Sequence, residues 1–281
     1  MSAAMSRCHR LAIFSLGSLL SLALACNKDE QKSVTTNTAP LAPSAVAKPP
    51  EAASPKKEDA YTELDSVPNA GVIQGTVTYT GSKKASPLAV TKDAQVCTHG
   101  GEPDGSLQVS GGKLKNAVIA ITDDIPSGKR WESSKAMVDN KECMFDPRVQ
   151  IGRYEGDVEA KNSDPVFHNA NLARVDSASG SGNSEMLANV ALPLQGQSQT
   201  KSLKKAGLVA VKCNVHEWMK AWIYVSKHPY AAVTKADGTY EMAGVPPGEY
   251  NALVWHEELG EAKVKIKVEP GKTATLDHTF N

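Results

Sequence analysis

The sequence predicts an all-β protein built as a β-sandwich, and three observations support this fold class. From residue 70 onward, short runs rich in Val, Ile, Thr and Tyr recur between turn residues, as they do in sandwiches. In Lys263–Val268, three lysines alternate with apolar residues, which gives a strand one polar and one apolar face. No long segment repeats its apolar residues with the 3.6-residue period of a helix.

The predicted strands follow one another along the chain at 71–81, 112–121, 149–164, 207–213, 221–229, 239–244, 249–256, 262–271 and 273–280. The dipeptide DG at 237–238 and the tripeptide PPG at 246–248 predict tight turns between the later strands. The Gly- and Ser-rich run Ser177–Ser184 is expected to be a loop. Asn183–Ala191 could form one or two helical turns.

Composition excludes several classes of protein. The 281 residues carry 31 basic and 31 acidic side chains, and this zero net charge predicts no nucleic-acid-binding surface. A hydrophobic content of 41% supports a real core and excludes a disordered chain, while five cysteines exclude a cysteine-stapled miniprotein. The length allows one or two domains at about 100–200 residues each.

The amino terminus predicts an export signal. Basic Arg7 and Arg10 precede an uncharged, leucine-rich run, Leu11–Ala25, and then Cys26. A small residue before a cysteine at this place resembles the lipobox of bacterial lipoproteins. The resemblance implies that residues 1–25 are a lipoprotein signal peptide, that Cys8 is lost with it, and that Cys26 is acylated. An ordinary secretory signal that happens to contain a cysteine is the alternative.

A tether is predicted between the signal and the folded part. Residues 26–69 are rich in Pro, Ala, Ser, Thr, Lys and Glu, with five prolines between Pro40 and Pro55. Such a segment buries too little apolar surface to fold. We therefore expect a disordered, semi-extended tether that holds a folded domain away from a membrane.

The most specific motif is Cys213-Asn214-Val215-His216-Glu217-Trp218-Met219, which lies between two predicted strands. A type 1 copper site needs a thiolate, two imidazoles and a weak axial thioether. The loop supplies Cys213, His216 and Met219. His168, 45 positions before Cys213 and just after the strand-breaking Asp-Pro pair at 164–165, is the candidate for the second imidazole.

The Cys-x2-His-x2-Met loop and the upstream His-Asn pair resemble the cupredoxins, and the loop spacing resembles that of the amicyanins. The resemblance covers roughly Val109 to Val225 and implies a Greek-key β-sandwich with one type 1 copper ion. It implies that His168, Cys213, His216 and Met219 are the ligands, and that Asn169 ties the two ligand loops together. The loop lacks the proline that is common in the family, which leaves the redox tuning open.

Two alternative interpretations of the motif are a zinc site and ordinary core residues. Structural zinc also binds Cys and His, but it favours four such ligands and has no preference for a thioether. Single buried Cys, His, Met and Trp residues are also common core residues. In cupredoxins the loop histidine comes near the surface within an apolar patch, so the resemblance implies that His216 is the exit point for electrons. Trp218 would supply apolar surface beside it, and Trp222, within a strand, is expected in the core.

Two of the five cysteines remain without a role after the other three are assigned. With Cys8 removed, Cys26 acylated and Cys213 on copper, Cys97 and Cys143 remain, and in an oxidising compartment they are expected to form a disulfide. The alternative is a second metal site that uses Cys97 and His99.

The carboxyl-terminal segment 229–281 resembles the carboxypeptidase regulatory-like, transthyretin-like modules through its Asp-Gly-x-Tyr and Val-Pro-Pro-Gly-x-Tyr sequences. It offers about four strands, fewer than such a module uses, so it is expected to share the strand Val72–Tyr79. The predicted domains are thus a cupredoxin-like domain at 70–228, with its first strand shared, and a second small β-sandwich at 229–281. His228, His256 and His278 have no assigned role.

Together these features predict a membrane-anchored, non-enzymatic blue-copper protein of the bacterial cell envelope that carries single electrons. The expected partner is a c-type cytochrome or a periplasmic oxidoreductase. The protein is expected to be a monomeric lipoprotein that faces the periplasm or lies at the cell surface, with the outer membrane favoured over the inner. The alternatives are copper storage, delivery or resistance without electron transfer, and a non-catalytic ligand-binding or adhesive β-sandwich lipoprotein.

Overall fold

The computed structural model describes residues 61–133, 135–177 and 183–281. The predicted signal peptide, the acylation site Cys26 and most of the predicted tether lie outside these residues. The described residues form 21 strands and no helix, so the all-β prediction is confirmed. Within this part of the chain, no helix is long and apolar enough to cross a membrane.

The first half of the described chain contains the strands β1 (Thr62–Leu64), β2 (Gly71–Tyr79), β3 (Val109–Ser110), β4 (Lys113–Leu114), β5 (Val118–Ile121), β6 (Ser127–Lys129), β7 (Lys135–Lys141), β8 (Met144–Asp146), β9 (Val149–Arg153), β10 (Asp157–Asn162) and β11 (His168–Val175). The second half contains β12 (Ser184–Leu192), β13 (Ser198–Ser202), β14 (Gly207–Lys212), β15 (Lys220–Ser226), β16 (Ala231–Val233), β17 (Thr239–Val245), β18 (Gly248–His256), β19 (Gly260–Val268), β20 (Thr273–Thr275) and β21 (His278–Phe280).

The middle of the chain forms the first sandwich. One sheet has the strand order β12-β11-β14-β15-β9 and the other β13-β10-β7-β8. Neighbours are antiparallel except for the pairs β15–β9 and β10–β7. Apolar side chains from both sheets, among them Val138, Leu172 and Ile223, share one buried core. This arrangement fits the predicted Greek-key β-sandwich.

A second sandwich combines strands from both ends of the described chain. One sheet has the order β16-β5-β18-β19, and the other has β17-β2-β4-β3, with β20 and β21 also paired to β2. Its core includes Ile73, Leu114 and Val254. By pairing, β2 to β5 therefore belong with the carboxyl-terminal strands. The boundary drawn from the sequence between 70–228 and 229–281 stays a prediction.

The two sandwiches meet across a third apolar cluster, formed by β9, β14 and β15 on one side and β5 and β18 on the other. Trp222 and Trp255 pack edge to face there, with ring centroids 5.3 Å apart. The side chains of Arg148 and Glu257 form an ion pair in the same region, with Nε–Oε1 and Nη2–Oε2 distances of 2.6 and 2.9 Å. Trp222 is thus a core residue, as expected.

Two local expectations are wrong. Asn183–Ala191 is not helical, because Ser184–Leu192 pairs along β11 as an edge strand, and a partner strand outcompetes a short local pattern. The predicted tether ran to residue 69, whereas Thr62–Leu64 pairs in parallel with β6. The hydroxyl of Tyr61 also donates to the carbonyl of Lys129 at 2.7 Å, so the chain is ordered before residue 69.

Candidate metal centre

The pairing of β11 with β14 explains why residues distant in sequence meet. Asn171 of β11 lies opposite Lys212 of β14, so the start of β11, His168, lies beside the end of β14. Cys213 follows Lys212 directly, and the loop from Cys213 to Met219 leads into β15. Adjacent antiparallel strands thereby bring the two ligand motifs to one end of the sheet.

Three of the four predicted ligands form a compact, buried group of donor atoms. The Sγ of Cys213 lies 4.0 Å from Nδ1 of His168 and 3.8 Å from Nδ1 of His216. The two Nδ1 atoms are 3.0 Å apart. A metal ion with bonds of about 2.0 Å to nitrogen and about 2.3 Å to sulfur would, at the centre of a trigonal plane, separate these atoms by about 3.5–3.7 Å. The observed triangle is close to that size.

The hydrogen bonds of the two outward-facing ring nitrogens fix the tautomer of each histidine, and so they determine which nitrogen keeps a lone pair for a metal. The Nε2 of His168 lies 2.9 Å from Oδ2 of Asp164, and the Nε2 of His216 lies 2.9 Å from Oδ2 of Asp93. A carboxylate accepts hydrogen bonds, so each Nε2 donates and each Nδ1 keeps its lone pair. Two lone pairs that face each other at 3.0 Å repel unless a cation lies between them. The donor set therefore fits a metal ion.

Burial affects the protonation of these rings. The pKa of His168 is lowered, first by burial and then by the neighbouring His216, although Asp164 acts in the opposite direction. A lowered pKa keeps the imidazole neutral, and the neutral ring is the form that binds a metal.

The loop that carries three of the predicted ligands is closed by its own backbone. The N–H of Met219 donates to the carbonyl of His216 at 2.9 Å, and the N–H of Cys213 donates to the carbonyl of Met219 at 3.3 Å. The His216 N–H points at the Cys213 sulfur, 3.4 Å away. The Met219 side chain is fully buried in the same core as Cys213.

Asn169 links the segment that carries His168 to the segment that carries Cys213. Its Oδ1 accepts a hydrogen bond of 2.7 Å from the N–H of Asn214 and lies 3.5 Å from the Cys213 sulfur. Its own amide donates to Oδ1 of Asn189 on β12 at 2.6 Å. The side chain therefore holds the start of the ligand loop against β11.

His216 was expected near the surface as the exit point for electrons, and the structure shows that the ring itself is not exposed. Its ring has no solvent exposure, because Asp93 lies on its outer nitrogen and the Trp218 ring packs 5.0 Å from its centroid. Trp218 is itself half-buried and donates from Nε1 to the carbonyl of Cys143 at 3.0 Å. The outer edge of the loop histidine is thus covered by this chain.

Cys97 and Cys143 form a disulfide, so that prediction is confirmed and the alternative of a Cys97–His99 metal pair is wrong. The bridge lies beside the candidate centre, because the Cys143 sulfur, an Asp164 oxygen and a His168 nitrogen all fall within 4.8 Å of one another. The Cys143 sulfur is occupied by the disulfide, which leaves Cys213 as the free thiol among the described residues.

The remaining histidines with no predicted role belong to the second sandwich or its edge. His228 is buried and its Nε2 donates to the Asp123 carbonyl at 3.0 Å. His256 is fully buried, with its ring centroid 6.4 Å from that of Phe280. His278 is half-buried and packs on the same phenylalanine. None of them joins a group of potential metal ligands among the described residues.

Sequence reasoning did not find the two aspartates. Asp164 was visible only as part of an Asp-Pro strand end, and Asp93 lies 123 positions before His216 in a segment with no recognisable motif. The proximity of a carboxylate to an imidazole over such a separation depends on the tertiary fold.

Comparison with known proteins gives partial matches. Residues 201–276 match the family model described as polysaccharide lyase family 4, domain II. No curated protein matches the chain.

Solved structures that are similar to part of the chain include three copper proteins or cupredoxins. A purple cupredoxin from Nitrosopumilus maritimus is 21% identical over 32% of this chain and 99% of its own, with a TM-score of 0.27. The Cu-containing nitrite reductase from Thermus scotoductus SA-01 is 19% identical over 38% of this chain and 25% of its own, with a TM-score of 0.27. A variant of amicyanin in its reduced state is 14% identical over 38% of this chain and 98% of its own, with a TM-score of 0.28. At these TM-scores the likenesses assign no function, so any proposal depends on the site itself.

Proposed function

We propose that the protein is a type 1 copper protein that carries single electrons. The observation that carries this proposal is the buried triangle of the Cys213 sulfur and the Nδ1 atoms of His168 and His216. One thiolate and two imidazoles, with a buried methionine in the same loop, form the ligand type of blue-copper electron-transfer sites. Zinc would be expected to use a fourth Cys, His or carboxylate ligand.

The roles of the residues follow from their chemistry. Cys213 would supply the thiolate, His168 and His216 the imidazoles, and Met219 the axial thioether, while Asn169 holds the ligand loop to β11. When bound, a copper ion at such a site exchanges one electron by cycling between Cu(I) and Cu(II). The buried ligands are held by backbone and side-chain hydrogen bonds, so they have little freedom to rearrange when the charge of the ion changes.

The location and partner belong to the same proposal. We propose that Cys26 is acylated and that the proline-rich segment holds the folded part away from an envelope membrane, with the outer membrane favoured. The partner would be a c-type cytochrome or a periplasmic oxidoreductase, and the protein would act as a monomer without catalysing a reaction of its own.

Burial of the centre bears on the rival functions. Copper delivery needs an exchangeable site, whereas all four predicted ligands are buried. A ligand-binding or adhesive sandwich with a vestigial site would be supported by a large separation of His168 and Cys213, but their Nδ1 and Sγ atoms are 4.0 Å apart. A copper store without electron transfer would use the same ligands, so only an experiment distinguishes it from an electron carrier.

The test is to load the purified mature chain with Cu(II) and record visible and electron paramagnetic resonance spectra. An intense thiolate-to-copper band with narrow hyperfine splitting is expected. Cys213→Ser should abolish the band, and Met219→Gln should keep it while lowering the reduction potential. Met242→Gln is the matched control, because Met242 is equally buried but lies in the core of the second sandwich. A colourless wild-type protein with one free thiol would refute the copper proposal.

Stopped-flow mixing of the Cu(II) protein with a reduced c-type cytochrome then separates a carrier from a store. If the protein is a carrier, its blue band decreases during the mixing experiment by an amount proportional to the amount of cytochrome that is oxidised. A blue protein that exchanges no electrons with cytochromes or small redox mediators would be a store.

A further inference from the structure

Both predicted imidazole ligands have an aspartate on the ring nitrogen that faces away from Cys213. Asp164 lies four residues before His168 on the same segment, whereas Asp93 comes from the long connection between β2 and β3. We propose that Asp93 is a positioning residue for the metal centre. Its carboxylate holds His216 with Nδ1 toward the metal and closes the outer edge of the ring to water. As a statement about metal binding, this inference rests on the proposed function.

The backbone around Asp93 is built to present its side chain. Asp93 has a φ of 51°, a left-handed conformation that aspartate adopts more readily than most residues. Its carbonyl accepts hydrogen bonds from the N–H groups of Val96 and Cys97 at 2.8 and 2.9 Å. Asp93 therefore starts a tight turn that ends at the disulfide, and its side chain retains 28% exposure on the outer side of the buried ring.

The disulfide connects this turn to the other side of the centre. Cys97 is bonded to Cys143, and the Cys143 N–H donates to Oδ2 of Asp164 at 2.8 Å. The Cys143 carbonyl accepts from Nε1 of Trp218, the ring that packs on His216. One covalent bridge thus anchors both carboxylates and the tryptophan around the two imidazoles.

The chemical consequence concerns affinity and charge. A carboxylate that accepts from the outer N–H of a ligating histidine fixes its tautomer and raises its basicity, and loss of such a partner typically weakens metal binding by about 10–100-fold. The negative charge also favours Cu(II) over Cu(I), so it lowers the reduction potential. With its outer edge closed, His216 cannot pass electrons by direct contact with a partner.

The first measurement needs no metal. In the ¹⁵N-labelled, metal-free mature chain, long-range ¹H–¹⁵N spectra should show both His168 and His216 protonated at Nε2. The Nε2 proton of His216 should be protected from exchange with water. Asp93→Ala should lose that protected proton and leave the one on His168, while Asp93→Asn, which keeps an oxygen acceptor, should retain both.

The second measurement is copper affinity by competition with a chelator, together with the reduction potential. Asp93→Ala should bind Cu(I) about 10–100-fold more weakly than the wild type. Asp93→Asn should keep most of the affinity but raise the potential, because one negative charge is removed. Asp124→Asn is the control, since Asp124 is an exposed partner of Lys227 and contacts none of the ligands.

The outcomes separate this proposal from the function on which it rests. Survival of the protected His216 proton in Asp93→Ala, confirmed as folded by its wild-type backbone spectrum, overturns the role of Asp93. A wild-type protein that shows the predicted protons but forms no blue site refutes the copper proposal and leaves the Asp93–His216 contact established. If Asp93→Asn unfolds, Asp93→Glu, which keeps the charge, replaces it and should preserve the potential.

Discussion

The buried ion pair between the sandwiches is a point where one substitution should cost several kcal/mol of stability, about 3–5 by the usual cost of a broken buried pair. The side chains of Arg148 and Glu257 are only 8% and 4% exposed. The Glu257 carboxylate accepts three hydrogen bonds, from Nε and Nη2 of Arg148 at 2.6 and 2.9 Å and from Nε1 of Trp222 at 3.0 Å. Arg148→Met removes two of them and leaves the carboxylate charged and buried.

The expected loss of stability in Arg148→Met comes mainly from that uncompensated charge. Breaking a buried ion pair by removing one partner typically costs about 3–5 kcal/mol. The Asp104 carbonyl also loses its donor, Nη1 of Arg148 at 2.7 Å, which adds to the cost. In the double variant Arg148→Met/Glu257→Gln the charge is absent and the amide oxygen still accepts from Trp222. Because replacing both members of a buried pair is often close to neutral, we expect the double variant to recover about 2 kcal/mol or more of the loss.

The assay is equilibrium unfolding in urea, followed by tryptophan fluorescence and circular dichroism. Two of the four tryptophans, Trp222 and Trp255, lie in the interface, so part of the fluorescence change reports on it. Lys227→Met is the control, because Lys227 and its partner Asp124 are 42% and 87% exposed, and an exposed pair contributes about 0–1 kcal/mol. A loss below about 1 kcal/mol for Arg148→Met, or purely additive losses in the double variant, would refute the reasoning.

Three further predictions concern the fold. Burial lowers the pKa of His256 to about 4, so near pH 6.5 this histidine takes up a proton in the unfolded chain but not in the folded one. The free energy of unfolding should therefore fall by up to about 3 kcal/mol between pH 6.5 and pH 4. The variant His256→Gln should flatten this pH dependence. Replacing Cys97 and Cys143 together with serine should cost about 4 kcal/mol in urea unfolding, since the bridge closes a separation of 46 residues. Gly75→Ala should cost about 1–3 kcal/mol or more in thermal unfolding, because its Cβ would lie 2.1 Å from the Leu276 carbonyl oxygen.

Each of these predictions has a contrary outcome. A pH profile of unfolding that is unchanged in His256→Gln would show that another group dominates acid destabilisation. Equal stability of the double serine variant and the wild type would mean that the disulfide does not constrain the unfolded chain. For Gly75→Ala the control is Gly100→Ala, whose Cβ would meet only Val90 at 3.7 Å; equal effects of the two substitutions would contradict the predicted clash.

The sequence alone predicted the elements whose cause is local. The period-2 alternation of Lys263–Val268 lies within the observed strand Gly260–Val268, because side chains of a strand alternate between faces whatever the fold around them. The loop spacing of Cys213, His216 and Met219 placed three predicted ligands within seven residues, so their proximity did not depend on distant parts of the chain. Ser184–Leu192 shows the limit of local patterns, since only the presence of β11 beside it makes that segment a strand.

The tertiary structure decided how those elements combine and what surrounds the centre. The strand Val118–Ile121 pairs with β16 and β18 and not with the first sandwich. This choice depends on pairing between strands that are more than a hundred residues apart in the sequence. The sequence by itself determined an all-β fold, and its residue types and the short spacing of Cys213, His216 and Met219 were sufficient to propose those three as metal ligands. Only the tertiary structure placed Asp93 on His216 and buried the ring, because hydrogen bonding and burial depend on which distant segments the fold brings together.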